Sequence, residues 1–419
     1  MIFFLFAAEA QAFCGTFVGG DGALLANTES RVVLANDGTH TTLTLAMDYR
    51  GDAADFALIL PVPEILTAES VSAVDQALIT RIDEWSVPRE VAYTCEDVVS
   101  VSYNVGGCGA VMGCDDSNYT MVGGGTDSAE GSVTVESTFS QAGYTFVVLS
   151  AEESSGLQGW LDANGYALPA GGDAILQEYI DSGSYFLAAK VALDAAPTDG
   201  QWLPPIQLRY ASTSWALPIR IGTISADGPQ EVTVFALGNS SQGEVSISNY
   251  PEVSVEDECM RPATEDLGAY YADQLDAALV SEAGWVMEYS WDLTANCDPC
   301  TAATGLTPDE LAALGLDDYH GHLSRMRLRY TAEQATQDVA MYGSGVLGQA
   351  EQIRYIQHAD VLEGTFPVCG EGFVAEPAGT CLTPDRASVT GIAAVGAAWA
   401  PAGLLGGLTL LAALRRRRA

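Results

Sequence analysis

Short apolar runs, separated by turn residues, recur along most of the chain. They fall at residues 31–34, 41–47, 56–60, 144–149, 185–193, 205–210, 216–224, 231–237, 285–291, 322–330, 338–342 and 353–358. Alternation, or a β-branched and aromatic composition, predicts a β-strand in each. Helical periodicity lies between them. Val71, Val74, Leu78 and Ile82 recur at three and four residues and predict a helix over 67–85. Residues 155–164 end at Gly165, a C-terminal cap, and 173–181 carry an apolar stripe before Gly183. A longer amphipathic helix is expected over 264–281, with Thr264 as N-cap and Glu265 and Asp266 in its first turn. Thr307-Pro308-Asp309-Glu310 reads as a helix start: cap, proline at the first position, then acidic residues. The pattern predicts an α+β fold: a β-rich extracytoplasmic body with interspersed amphipathic helices, followed by a C-terminal transmembrane helix.

That last helix comes from residues 391–414, which hold no charge and are rich in Ala, Gly and Leu. At roughly 1.5 Å per residue such a segment rises about 36 Å, enough to span the hydrocarbon core. Arg415, Arg416, Arg417 and Arg418 follow directly, and a basic cluster there keeps its end cytoplasmic and the body outside. The arrangement also resembles the sorting tails of exosortase- and myxosortase-type systems, which implies a sorting protease as partner. It departs from the myxosortase pattern, because Cys381 stands ten residues before the apolar run. At the other end, apolar Ile2 to Ala8 and the small-x-small Ala10-Gln11-Ala12 read as a signal peptide over 1–12. Its basic leading region is missing, so its start is expected further upstream. Phe13 before Cys14 argues against a lipoprotein.

Between the ends, a composition shift near 238–258 predicts two lobes, a β-rich one at 13–250 and an α+β one at 251–366. Residues 367–390 form a Gly/Pro linker or stalk, and 391–419 the membrane or sorting tail. The whole chain has 17 basic and 55 acidic side chains, net -38. Without Glu9 and the four terminal arginines the body carries 13 basic against 54 acidic groups, net -41. A surface of that sign repels phosphate backbones and excludes nucleic acid as a partner.

In an exported chain the cysteines predict disulfides. Cys95, Cys108 and Cys114 form one local group, Cys259, Cys297 and Cys300 another, and Cys369 with Cys381 a third, leaving Cys14 without a near neighbour. The spacing does not determine connectivity. Redox chemistry at Cys297-Asp298-Pro299-Cys300 would want a helix N-terminus there, and the next helix start lies only at Thr307. Asp317, Asp318, His320 and His322 are the densest set of metal-capable residues; on a strand the two imidazoles would share a face and could hold a transition metal. Acidic loops at 115–118 and 256–258 offer oxygen ligands suited to calcium, though no motif requires a cofactor. Trp202 and Trp215 are candidates for an aromatic surface. No nucleophile elbow or H-E-x-x-H is present, and no catalytic residue is identified.

An ordered series of motifs carries a family resemblance. It runs through Ala12-Phe13-Cys14-Gly15, Asp55-Phe56-Ala57-Leu58-Ile59-Leu60-Pro61-Val62-Pro63 and Gly159-Trp160-Leu161-Asp162-Ala163-Asn164-Gly165-Tyr166. It continues through Tyr185-Phe186-Leu187-Ala188-Ala189-Lys190-Val191, Leu203-Pro204-Pro205-Ile206-Gln207-Leu208-Arg209-Tyr210, Cys297-Asp298-Pro299-Cys300 and Arg325-Met326-Arg327-Leu328-Arg329-Tyr330. In these the chain resembles the bacterial domain-of-unknown-function family numbered 2330, whose members are secreted or surface-anchored. The resemblance implies a shared fold and export and brings no activity, cofactor or catalytic residue. The leading expectation is a non-enzymatic structural or binding protein of the cell surface, with an extracellular ligand the sequence does not name. The alternatives are a secreted hydrolase with dispersed catalytic residues and a calcium- or transition-metal-binding surface module.

Overall fold

The computed structural model describes residues 15–19, 30–47, 56–91, 133–141, 143–191, 202–226, 228–255, 260–261, 267–279, 283–294, 305–348, 350, 353–357, 366–368 and 373–375. In chain order these form β1 (Thr16–Gly19), β2 (Ser30–Asn36), β3 (His40–Met47), β4 (Phe56–Val62), β5 (Val71–Ala73), α1 (Gln76–Ser86) and β6 (Arg89–Val91). Then come β7 (Val133–Gln141), β8 (Tyr144–Ala151), α2 (Ser154–Ala163), α3 (Gly172–Asp181), β9 (Tyr185–Val191), β10 (Ile206–Ala211), β11 (Trp215–Leu217), β12 (Gln230–Gly238) and β13 (Val245–Ile247). The remainder are β14 (Met260–Arg261), α4 (Leu267–Ala278), β15 (Gly284–Asp292), α5 (Pro308–Ala313), β16 (His322–Tyr330), β17 (Val339–Gly343), β18 (Arg354–Gln357), β19 (Phe366–Val368) and β20 (Phe373–Ala375).

Two large sheets organise the body: five antiparallel strands in the order β1-β4-β9-β8-β7, and seven in the order β15-β16-β12-β2-β3-β10-β5. Side-chain alternation explains how they stack. Leu58, Leu60, Phe146, Val148 and Leu187 of the first sheet meet Leu34, Leu45, Leu208, Val234, Met326 and Leu328 of the second in one buried cluster. The intervening residues point the other way. Ala57, Ile59, Leu149 and Phe186 pack under α2, α3 and the short 3-10 turn Ile221–Ser225. Val33, Ala35, Ala46, Phe235 and Leu323 pack under α1 and α5. The result is four layers, helix–sheet–sheet–helix. Each fully buried Leu or Phe in these seams contributes roughly 1.5–3 kcal/mol relative to exposure.

The β-rich, α+β expectation holds. Three local readings are corrected. Residues 71–73 form strand β5 against β10, and the helix starts only at Gln76, where Asp75 caps it by accepting from the Ala77 amide at 2.9 Å. Residues 216–224 do not continue as a strand: the chain turns at Pro218, which has no amide to donate to a ladder, and Ile221 anchors a 3-10 turn instead. Strand β7 was not expected, since much of it faces solvent at the sheet edge and its apolar signal is weak. At α5 the expected start is a full capping box between Thr307 and Glu310.

Strand pairing crosses the expected boundary at 250. β12 from the first expected lobe pairs with β16 from the second over nine residues, from Gln230↔Tyr330 to Gly238↔His322. After β12 the chain forms β13, which pairs with β17 in a separate three-stranded sheet. Among the described residues no helix is long and apolar enough to cross a membrane. The segments 1–12 and 391–419, with Arg415 to Arg418, lie outside the described residues, as does most of 367–390.

Candidate functional site

Strand β16 reads His-Leu-Ser-Arg-Met-Arg-Leu-Arg-Tyr, and its period of two sends Met326, Leu328 and Tyr330 into the inter-sheet core. The same period places Arg325, Arg327 and Arg329 on the opposite face, beneath the helices. On the neighbouring strand β15 Glu288 follows Val286, opposite Arg327, onto the arginine face, and the bulge between Met287 and Tyr289 turns Tyr289 to that face as well. Glu288 is 0% exposed. It accepts from Arg325 Nε, from Arg327 Nε at 2.5 Å and from Tyr271 Oη at 2.7 Å. Burial alone would push its pKa up; Arg327 and Arg325 outweigh that and bring it down to about 2.

The network extends on both sides. Arg325 Nη1 reaches Asp83 in the last turn of α1 at 2.6 Å, and Arg31 of β2 meets the same carboxylate at 3.1 Å. Arg327 Nη1 donates to Glu231 on β12, and Arg329 Nη2 meets Asp276 of α4 at 2.6 Å. Burial would lower the Arg327 pKa, but Glu288 and Glu231 raise it well above the usual arginine value. Rings support the guanidiniums: Arg325 lies 5.0 Å from the Phe235 centroid and Arg327 5.5 Å from that of Tyr271.

A cavity of about 280 Å³ opens beside this network. Its walls are Val87 and Pro88 after α1, and Leu267, Gly268, Tyr271, Ala272 and Leu275 of α4; Glu231 and Arg327 form the polar part. Apolar walls with a few converging polar groups suit a small ligand, and the volume is near the lower end of the usual range of about 300–1,000 Å³. Chemically the polar wall is a set of fixed charges. Glu288, buried behind Arg327, is held at about pKa 2 and is a weak proton acceptor at neutral pH, so the Glu231–Arg327 wall in front of it suits recognition by hydrogen bonds.

The four metal candidates are not brought together. β16 starts at His322, so His320 falls in the preceding turn, exposed, with its amide donating to Asp318 at 3.0 Å. Asp318 also accepts from the Ser240 amide at 2.8 Å; these backbone bonds lower its pKa. Asp317 points into solvent. His322 turns inward, 0% exposed, with Nε2 at 2.8 Å from Ser290 Oγ. Its pKa is lowered by burial, against Glu244 and Asp292. Among the described residues there is no group of three or more His, Cys, Asp or Glu able to hold a metal. The two tryptophans do not share a surface either: Trp215 is buried in the core, and half-buried Trp202 lies under Arg31, 4.8 Å from centroid to guanidinium. All nine cysteines and the acidic loops at 115–118 and 256–258 lie outside the described residues.

In the sequence the one signal of this site is the arginine at every second position of the 325–330 strand motif. A family model described as "Uncharacterized protein conserved in bacteria (DUF2330)" matches residues 8–342. The chain belongs to this family. The DUF2330 match takes in α1, β12, α4, β15 and β16, hence every residue named around the cavity. No curated protein and no solved structure matches the chain.

Proposed function

We propose that this DUF2330 protein is an exported, envelope-attached, non-enzymatic binding protein, and that the cavity between α4 and β16 is its binding site. The observation that carries the reading is the ion-pair network behind the cavity wall. Arg327 on the wall and Glu288 buried behind it are held charged by each other and by Arg325 and Glu231, which favours fixed recognition over proton transfer. Export is supported by the apolar run before Ala10-Gln11-Ala12, by 391–414 with its arginines, and by an acidic body suited to staying soluble outside the cell.

The hydrolase alternative has one pair in its favour, Ser290 with His322. Both are completely buried, and a substrate has no approach to them as the strands stand. The test has two parts. Alkaline phosphatase, which matures only outside the cytoplasm, is fused after residue 366 in the native host; the fusion is expected to be active, and an inactive fusion at normal abundance overturns export. A fluorophosphonate that labels activated serines is expected to leave Ser290 unmodified. Labelling that His322→Gln abolishes would establish the hydrolase instead.

A further inference from the structure

Two polar atoms at the cavity have no hydrogen-bond partner among the described residues. Arg327 spends Nε on Glu288 and Nη1 on Glu231; among the described residues Nη2 donates to nothing. Glu231 spends Oε1 on Arg327, while Oε2 has only Arg329 Nη1 at 4.0 Å, beyond hydrogen-bond reach. Both side chains line the cavity. They therefore offer one donor and one acceptor, on adjacent side chains that already hold each other in place.

We propose that this cavity binds a neutral, mainly apolar molecule carrying an amide, its carbonyl accepting from Arg327 Nη2 and its N–H donating to Glu231 Oε2. This deepens, and rests on, the binding reading above. Charge decides against an ion. The network joins Arg31, Arg325, Arg327 and Arg329 to Asp83, Glu231, Glu288 and Asp276, four charges of each sign. An anion would meet the Glu231 carboxylate and a body that is strongly acidic overall. A cation would compete with Arg327 for Glu231, breaking a half-buried ion pair. A single hydroxyl presents its donor and acceptor on one atom, whereas the two free protein atoms sit on different side chains. An amide presents them on two atoms, the oxygen and the nitrogen bonded to one carbonyl carbon. The remaining walls, from Val87 and Pro88 to Leu267 and Leu275, are apolar and take the rest of the molecule.

Hexanamide is the probe, with hexanoate, hexylammonium and hexanol as controls, each titrated calorimetrically into the full chain. Ala272→Phe is the blocking variant, because Ala272 lines the cavity, is exposed and takes no part in the ion pairs. Its melting temperature serves as the folding control. Saturable hexanamide binding is expected, at least tenfold tighter than any control, and weakened at least tenfold in Ala272→Phe at unchanged melting temperature. A control that binds as tightly as hexanamide and is lost in Ala272→Phe overturns the amide assignment and leaves the binding-site reading standing. Hexanamide binding that Ala272→Phe leaves intact overturns the location. Failure of all four compounds to bind overturns the proposal and the binding reading together.

Discussion

Glu288 shows what a single residue can hide. In the sequence Trp285-Val286-Met287-Glu288-Tyr289-Ser290 strict alternation would put Tyr289 on the core face with Trp285 and Met287. The bulge shifts the register after Met287, so Glu288 and Tyr289 both face the helices and Ser290 turns inward. The sequence carries the carboxylate but no sign of the bulge. The consequence is measurable. Its folded pKa, about 2, lies below the ordinary 4.5, so its contribution to stability is complete above the unfolded value and is lost as pH falls from about 4.5 toward 2. A shift of that size corresponds to about 3 kcal/mol. Glu288→Gln is expected to flatten this acid limb in a circular-dichroism titration. At neutral pH it should destabilise by roughly 3–5 kcal/mol, because Arg325 and Arg327 lose their shared partner. An unchanged acid limb in the variant would show that Glu288 does not govern it. His320 and His322 carry the same lesson. Two positions apart, they would share a face only if both lay in the strand, and the strand begins at the second.

At the scale of elements, caps and turns were the most legible features. The Thr307 capping box and Gly165, at φ +84 after α2, stand where local chemistry put them. Gly165 has open space where a Cβ would go. Gly315, just past α5, has φ +93 and would place a Cβ 2.4 Å from Cβ of Thr42 on β3. Gly165→Ala is therefore expected to cost about 1–2 kcal/mol from backbone conformation alone. Gly315→Ala adds the steric clash and should cost roughly 2–5 kcal/mol. Equal shifts in urea midpoint for the two variants would contradict the close approach of α5 to β3. Less legible was the split of 67–85 into a strand and a helix. Val71 fits helical spacing with Val74 and Leu78, yet its backbone pairs with Leu208, and a partner more than a hundred residues away leaves no local signal.

For the whole molecule the decisive fact is the long sheet shared by both expected lobes. If β12 needs β16 across nine pairs, residues 13–250 expressed alone expose a broken sheet edge. That fragment is expected to aggregate or to lack native proton-resonance dispersion, whereas 13–366 folds. A dispersed spectrum from 13–250 would support the two-lobe division. Composition could not show this, because a polar connection between strands and a linker between domains have the same residues. The sequence by itself determined most of the long strands, the caps of α2 and α5, the acidity of the body and the family, since each is written in local spacing or in ordered motifs. Only the tertiary structure decided that both expected lobes contribute strands to one sheet and that two of three alternate arginines meet one buried glutamate beside a cavity. Those depend on pairing and bulges between distant segments, where the free energy lies in contacts that no local stretch contains.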